Sequence, residues 1–125
     1  MIVFDHPGFK KALKSYFNTD VERNVCVCDD EGKVLAGCGF SKVVNGQTGA
    51  FLLRLFPNWA SKEFYAAMLR FPFETMGAEK CVARVGKNLK SANVCRHLGG
   101  EIQKDGSFLF EKERALRVAK EKFDE

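Results

Sequence analysis

The sequence predicts an α+β domain: a mixed, mostly antiparallel sheet with a parallel βαβ unit at its middle. Three observations carry that reading. The stretch from Gln47 to Gly100 alternates strand, helix, strand, helix, which makes its two strands parallel neighbours joined by a crossover. Asn45-Gly46 before it is a hairpin turn, because both central positions of a type I′ turn need positive φ, and Asp105-Gly106 after it marks the turn of a last hairpin. The chain of 125 residues, 46% hydrophobic and 29% charged, suits one domain over residues 1–125 with a single core.

Each element follows from its residues. Phe9, Leu13, Tyr16 and Phe17 stand at helical spacing with Lys10, Lys11 and Lys14 outward, so Pro7 to Phe17 is an amphipathic helix. Val25 to Cys28 and Lys33 to Val44 form an antiparallel hairpin about the turn Asp29 to Gly32. A third strand, Gln47 to Phe56, is apolar on both faces in its core section and therefore central. Pro57 ends it, and Asn58 or Ser61 caps a helix that starts near Trp59. Phe64, Ala67, Met68 and Phe71 give this helix its buried stripe until Pro72 bends or breaks it. A fourth strand, Cys81 to Val85, leads through Gly86 to a helix from about Leu89 to Leu98, closed by Gly99-Gly100. Glu101 to Lys104 and Ser107 to Lys112 make the last hairpin, and Glu113 to Glu125 is an appended charged helix.

Composition narrows the function. The net charge of +4, with acidic residues interspersed among basic ones, suits an anionic ligand and falls short of the footprint of a nucleic-acid partner. Of the five cysteines, at 26, 28, 38, 81 and 95, four fall in strand patterns, as expected of reduced, buried thiols. Cys26 and Cys28 share a strand face, but no second Cys or His pair stands at zinc-ligand spacing, so no metal site is expected. The opening residues lack the basic start and long apolar run of a signal peptide, and no segment has the length of a membrane span, so a cytoplasmic protein is expected.

In such a sheet the crevice lies beyond the carboxyl ends of the parallel strands. The helix that follows Pro57 and the helix that follows Lys87-Asn88 both begin there, and a helix start offers unpaired N–H groups and the positive end of a dipole to a phosphate.

The element order resembles the GNAT superfamily of N-acetyltransferases over roughly residues 25 to 112. The match is most specific in Asn88, Ser91, Cys95, Leu98 and Gly99. They fall on the offsets at which the family carries Asn, a small residue, often Tyr, then Leu-Gly, and Asp105-Gly106 sits at the family's final hairpin. Pro57-x-Trp59-x-Ser61 and Phe71-Pro72-Phe73-Glu74 are similar to the crossover helix of compact GNAT-like proteins of tailed phages. The resemblance implies a three-layer fold and transfer of an acetyl group from acetyl-CoA to an amine, in the host cytoplasm if the chain is phage-encoded. It implies that backbone groups of Leu53 and Leu55 pair with the pantetheine arm and that amides of Ala60, Ser61, Lys62, Glu63 and Phe64 meet the pyrophosphate. Asn88 would bind the cofactor arm and Cys95 would protonate the leaving thiolate.

The sequence also departs from the family. Where the phosphate loop usually begins with Gln or Arg and carries two small residues, mostly glycine, it has Ala60, Glu63 and Tyr65, so neither glycine is present and Glu63 adds a like charge that Lys62 offsets in part. No carboxylate lies within Ala50 to Phe56, leaving a water chain or Glu74 as general base. Plainer readings stand beside the chemical ones. Ser61 and Asn88 serve as helix caps, Cys95 as a packing residue, Trp59 as an anchor on the sheet, and Lys80, Arg84, Lys87, Lys90 and Arg96 as a solvated face or as contacts to the adenosine 3′-phosphate. Phe108 and Phe110 either face the core or seal a homodimer. The rival function is a GNAT-shaped scaffold, binding a host protein, that has lost its cofactor. The acceptor amine is not legible.

Overall fold

The computed structural model describes residues 1–85 and 87–123. Gly86, in the predicted turn, and Asp124 and Glu125, at the end of the predicted tail helix, lie outside the described residues. Among the described residues the elements are β1 (Ile2–Phe4), α1 (Pro7–Phe17), β2 (Arg23–Cys28), β3 (Val34–Phe40), β4 (Gln47–Arg54), α2 (Lys62–Arg70), β5 (Lys80–Ala83), α3 (Leu89–His97), β6 (Glu101–Ile102), β7 (Phe108–Glu111) and α4 (Lys112–Val118). The sheet runs β1-β2-β3-β4-β5-β7-β6, antiparallel throughout except for the parallel pair β4 and β5.

Three layers result. Phe9 and Leu13 of α1 pack with Cys26, Cys28 and Leu53 on one face. The other face carries Phe64 and Met68 of α2, Cys95 of α3 with Leu98 just after it, and Ala115 of α4, packed over Cys38, Phe40, Cys81 and Phe110. Helix α1 lies close because β3 has no side chain beneath it. A Cβ on Gly37 would fall 2.3 Å from the Phe9 ring, and one on Gly39 would fall 2.6 Å from Leu13. All five cysteines are buried and reduced. Phe108 and Phe110 are core residues, which settles their two readings against a hairpin-sealed dimer.

Several boundaries move. Strand β1 is absent from the prediction because three apolar residues ahead of Asp5-His6-Pro7 are too short to show alternation. Strand β3 ends at Phe40 rather than Val44, and Val44 rejoins the sheet only through its bridge to Gln47 across the turn. Asn45 (φ 52°) and Gly46 (φ 78°) both take the positive φ that a type I′ turn requires. Helix α2 begins at Lys62, three residues after Trp59, because extended Ser61 caps it and accepts from the Phe64 N–H at 3.1 Å. Pro72 neither bends nor breaks its helix cleanly. It is absorbed in a π turn over Phe71–Thr75, where the Met76 N–H reaches back to the Phe71 carbonyl. A second π turn, Ala119–Phe123, follows α4.

Candidate functional site

The site begins where two paired strands part. The β4–β5 register runs from Gln47↔Lys80 to Ala50↔Ala83 and stops there, whereas β4 continues to Arg54 alongside β3. The Ser41 N–H donates to Gly49 (3.0 Å), the Leu55 N–H to Leu35 (2.9 Å), and the Lys80 N–H to Gly46 (3.0 Å). A strand alternates its backbone groups with period two, so odd-numbered residues of β4 turn theirs to β3 and even-numbered residues turn theirs to β5. Leu52 and Arg54 therefore aim N–H and C=O into the gap. This corrects the sequence reading by one position: the backbone of Leu53 pairs with Gly37, and the Leu55 N–H is spent on Leu35.

Behind the gap is a cleft of about 140 Å³, walled on the side of α2 and α3 by residues such as Leu52, Met68, Val94 and Cys95 and on the side of α1 by Tyr16, Phe17 and Phe51. That volume suits an acyl group and the atom it meets, whereas whole ligand sites run to about 300–1,000 Å³. A larger ligand would have to lie along the mouth.

Of the two helix starts, only that of α3 opens on the cleft. Asn88 and Ser91 line it, and Asn88 Oδ1 caps α3 by accepting from the Ser91 N–H at 3.1 Å. The same oxygen accepts from Arg54 Nη2 at 3.3 Å, a contact between solvent-facing groups that crosses the mouth. None of Ala60, Ser61, Lys62, Glu63 and Phe64 is among the lining residues; Lys62 and Glu63 border a separate hollow beside Ile2, Phe4 and Phe123. At the start of α2 the Phe64 N–H is taken by the Ser61 cap, which leaves Lys62 and Glu63 ahead of the first intrahelical bond.

Glu74 is not brought to the cleft. It is exposed on that second hollow, with Arg70 Nε 3.9 Å from its carboxylate, so it cannot take a proton from a group in the cleft. Cys95 does line the cleft, but burial pushes its thiol up to about 11, with nearby Arg96 opposing in part. A thiol that weak stays protonated near neutrality and gives its proton to an ordinary thiolate only uphill, while its place in the lining makes Cys95 part of the cleft wall. Trp59 is the anchor expected of it, buried edge-on to Phe64 and Tyr65.

Sequence reasoning missed Tyr16 and Phe17 as cleft residues, since a helical stripe looks the same whether it meets core or cavity. Arg84, expected in a basic face, lines the cleft.

No family model matches the sequence, and no curated protein matches it. Solved structures do match. A GNAT-family acetyltransferase from Bacillus anthracis superposes with a TM-score of 0.57 at 15% identity, covering 72% of this chain and 66% of that one. The spermidine N-acetyltransferase SpeG (F149A mutant) from Vibrio cholerae gives 0.62 at 11% identity, over 87% of this chain and 76% of that one. The N-acetyltransferase PseH from Campylobacter jejuni, in complex with acetyl coenzyme A, gives 0.55 at 16% identity, over 82% and 76%. This chain has the GNAT acetyltransferase fold. Among the described residues no helix is long and apolar enough to cross a membrane.

Proposed function

We propose that the protein is an acetyl-CoA-dependent N-acetyltransferase whose thioester sits in the gap between β4 and β5. The observation that carries this reading is the row of backbone groups on Leu52 and Arg54 that face the gap above an apolar cleft. An amide-bearing arm laid along them would continue the sheet as a further strand does. The coenzyme supplies an activated acyl group: a C–N bond to the amine forms, the C–S bond breaks, and the amine's proton leaves as the thiolate gains one.

The chain's part is to bind, orient and exclude water. Backbone N–H groups of Leu52 and Arg54 hold the arm and polarise the carbonyl, Leu52 and Met68 keep the cleft dry, and Asn88 offers its amide to the arm once Arg54 releases it. The phosphates would lie outside the small cleft, at the end of the sheet where β4 leads into α2, against the N–H groups of Lys62 and Glu63 and the Lys62 ammonium, with Ala60, Ser61 and Phe64 shaping the turn. No cleft carboxylate is present among the described residues to act as base, so the amine loses its proton to water. We propose further, from the resemblance of its Pro57-x-Trp59-x-Ser61 and Phe71-Pro72-Phe73-Glu74 segments to compact phage proteins, that it acts in a host's cytoplasm.

Acetyl-CoA should raise the melting temperature in proportion to the logarithm of its concentration over Kd, and thiol release should then depend on an added amine. A second reading, a cofactor-free scaffold for a protein partner, is favoured by the capped start of α2 and by the Arg54–Asn88 contact across the mouth. No melting shift at about millimolar acetyl-CoA supports that one.

A further inference from the structure

The faces of the sheet separate the two ends of the cleft. On β4, Phe51 and Leu53 pack towards α1, whereas Ala50 and Leu52 pack towards α2 and α3. On β5, Cys81 and Ala83 belong to the α2 and α3 side, so alternation sends Arg84 to the side of α1. The coenzyme contacts argued above, at Asn88 and the start of α2, are on the α2 and α3 side. An acceptor amine must therefore reach the gap from the α1 side.

That side has a definite chemistry. Tyr16, Phe17 and Phe51 form an aromatic wall with successive ring centroids 4.9 and 5.6 Å apart, and Tyr16 is 69% exposed. Arg84 lines the same cleft and is exposed. Among the described residues no Asp or Glu lines the cleft. The Asp105 carboxylate, in the β6–β7 turn, feels the charge of Arg84. It is tied to Ser107 through the N–H (3.0 Å) and hydroxyl (2.6 Å), which with Arg84 hold it below the usual carboxylate range.

We propose that the acceptor is a primary amine joined to an aromatic group and a carboxylate, an aromatic amino acid in chemical class. The ring lies on Tyr16, Phe17 and Phe51, and the carboxylate pairs with the Arg84 guanidinium, whose planar fork matches it. A polyamine would bring several positive charges to a cleft that offers Arg54 and Arg84 and, among the described residues, no lining carboxylate. The inference rests on the acetyltransferase reading, because that reading decides which end of the cleft is left for the acceptor.

The experiment reads binding as well as turnover. L-Phenylalanine, phenethylamine and spermidine are titrated calorimetrically into the full chain and into Arg84→Gln and Arg84→Lys, each with and without saturating coenzyme A. L-Phenylalanine should bind the unaltered protein about tenfold more tightly than phenethylamine, the worth of one charge-assisted contact. That preference should vanish in Arg84→Gln, survive in part in Arg84→Lys, and leave phenethylamine binding unchanged, while spermidine shows no saturable binding. Equal affinity for the two aromatic amines, tighter binding of spermidine, or no amine binding to a chain that does bind coenzyme A overturns the proposal. The comparison in the unaltered protein stands even if a variant does not fold. If coenzyme A fails to bind, the acetyltransferase reading fails by itself, and the three titrations without coenzyme still decide the preference of this wall.

Discussion

From Gln47 to Ala50, β4 is paired with β5, and on its other side it is tied by the Val44–Gln47 bridge and the Ser41 N–H bond to Gly49; from Phe51 to Arg54 it is paired only with β3. The two halves of this strand differ in what holds them. In the first, buried Thr48 sends its hydroxyl to the Ser41 carbonyl at 2.6 Å, and Gly49 donates its N–H to the Ser41 hydroxyl at 2.8 Å, so these bonds serve the fold. In the second, the side towards β3 is held by α1 pressing onto Gly37 and Gly39, while the side towards β5 carries backbone groups with no strand beside them. One strand thus divides stability and binding between its ends. Mutations can test that division because each half has its own observable.

The largest effect should separate neighbouring prolines. Leu53→Pro removes an N–H that the ladder with β3 uses and should cost about 3 kcal/mol or more, read as a collapse of the melting temperature. Leu52→Pro removes an N–H that faces the gap, and should cost only about 1 kcal/mol through lost packing while abolishing acetyl-CoA binding. Similar destabilisation by both would break the assignment of faces.

Next in size is Gly37→Val, which drives a side chain into the Phe9 ring and should cost about 2–3 kcal/mol by denaturant unfolding. Adding Phe9→Ala should recover part of that loss if the clash is its cause. Smaller again, Asn88→Ala removes the α3 cap and the contact to Arg54, for about 1 kcal/mol, and should weaken coenzyme binding; Asn88→Asp should keep the cap.

The last prediction concerns the wall of the open half. The Cys95 thiol is raised by burial to about 11 from an ordinary value near 9. Its neutral form is favoured in the fold, so this contribution is complete below about pH 9 and is lost as pH rises through about 11. Titration of thiolate absorbance should show Cys95 ionising only in that upper range, and Cys95→Ala should flatten the alkaline loss of stability. Acetyl transfer by Cys95→Ala within a few-fold of the unaltered protein would agree with a wall, whereas loss of turnover with unchanged coenzyme affinity would restore an acid.

Much of the paired half was legible before any coordinates. Asn-Gly at 45 and 46, an apolar strand after it and a helix before Cys81 give the β4–β5 parallel pair directly. The facing of the open half was legible too, though the family pattern drew the assignment to Leu53 and Leu55. The hairpin closes with Val44 and Gln47 bonded to each other in both directions, and counting by twos from Gln47 sends 49, 51, 53 and 55 to β3. What the sequence withheld was distance. Nothing in Ala60 to Phe64 chooses Ser61 over Asn58 as the cap or shows that the helix then starts away from the cleft, or that Glu74 turns to another hollow after the π turn at Pro72. Those placements depend on how α2 packs across the sheet, which local pattern does not encode.

Backbone amide exchange, followed residue by residue along β4 with and without acetyl-CoA, tests the central claim most directly. The account predicts that Leu52 and Arg54 exchange quickly in the unliganded protein and become protected when acetyl-CoA is added, while Leu53 is protected throughout. Protection of Leu52 and Arg54 that is already present without the coenzyme, or that does not change with it, would contradict the account.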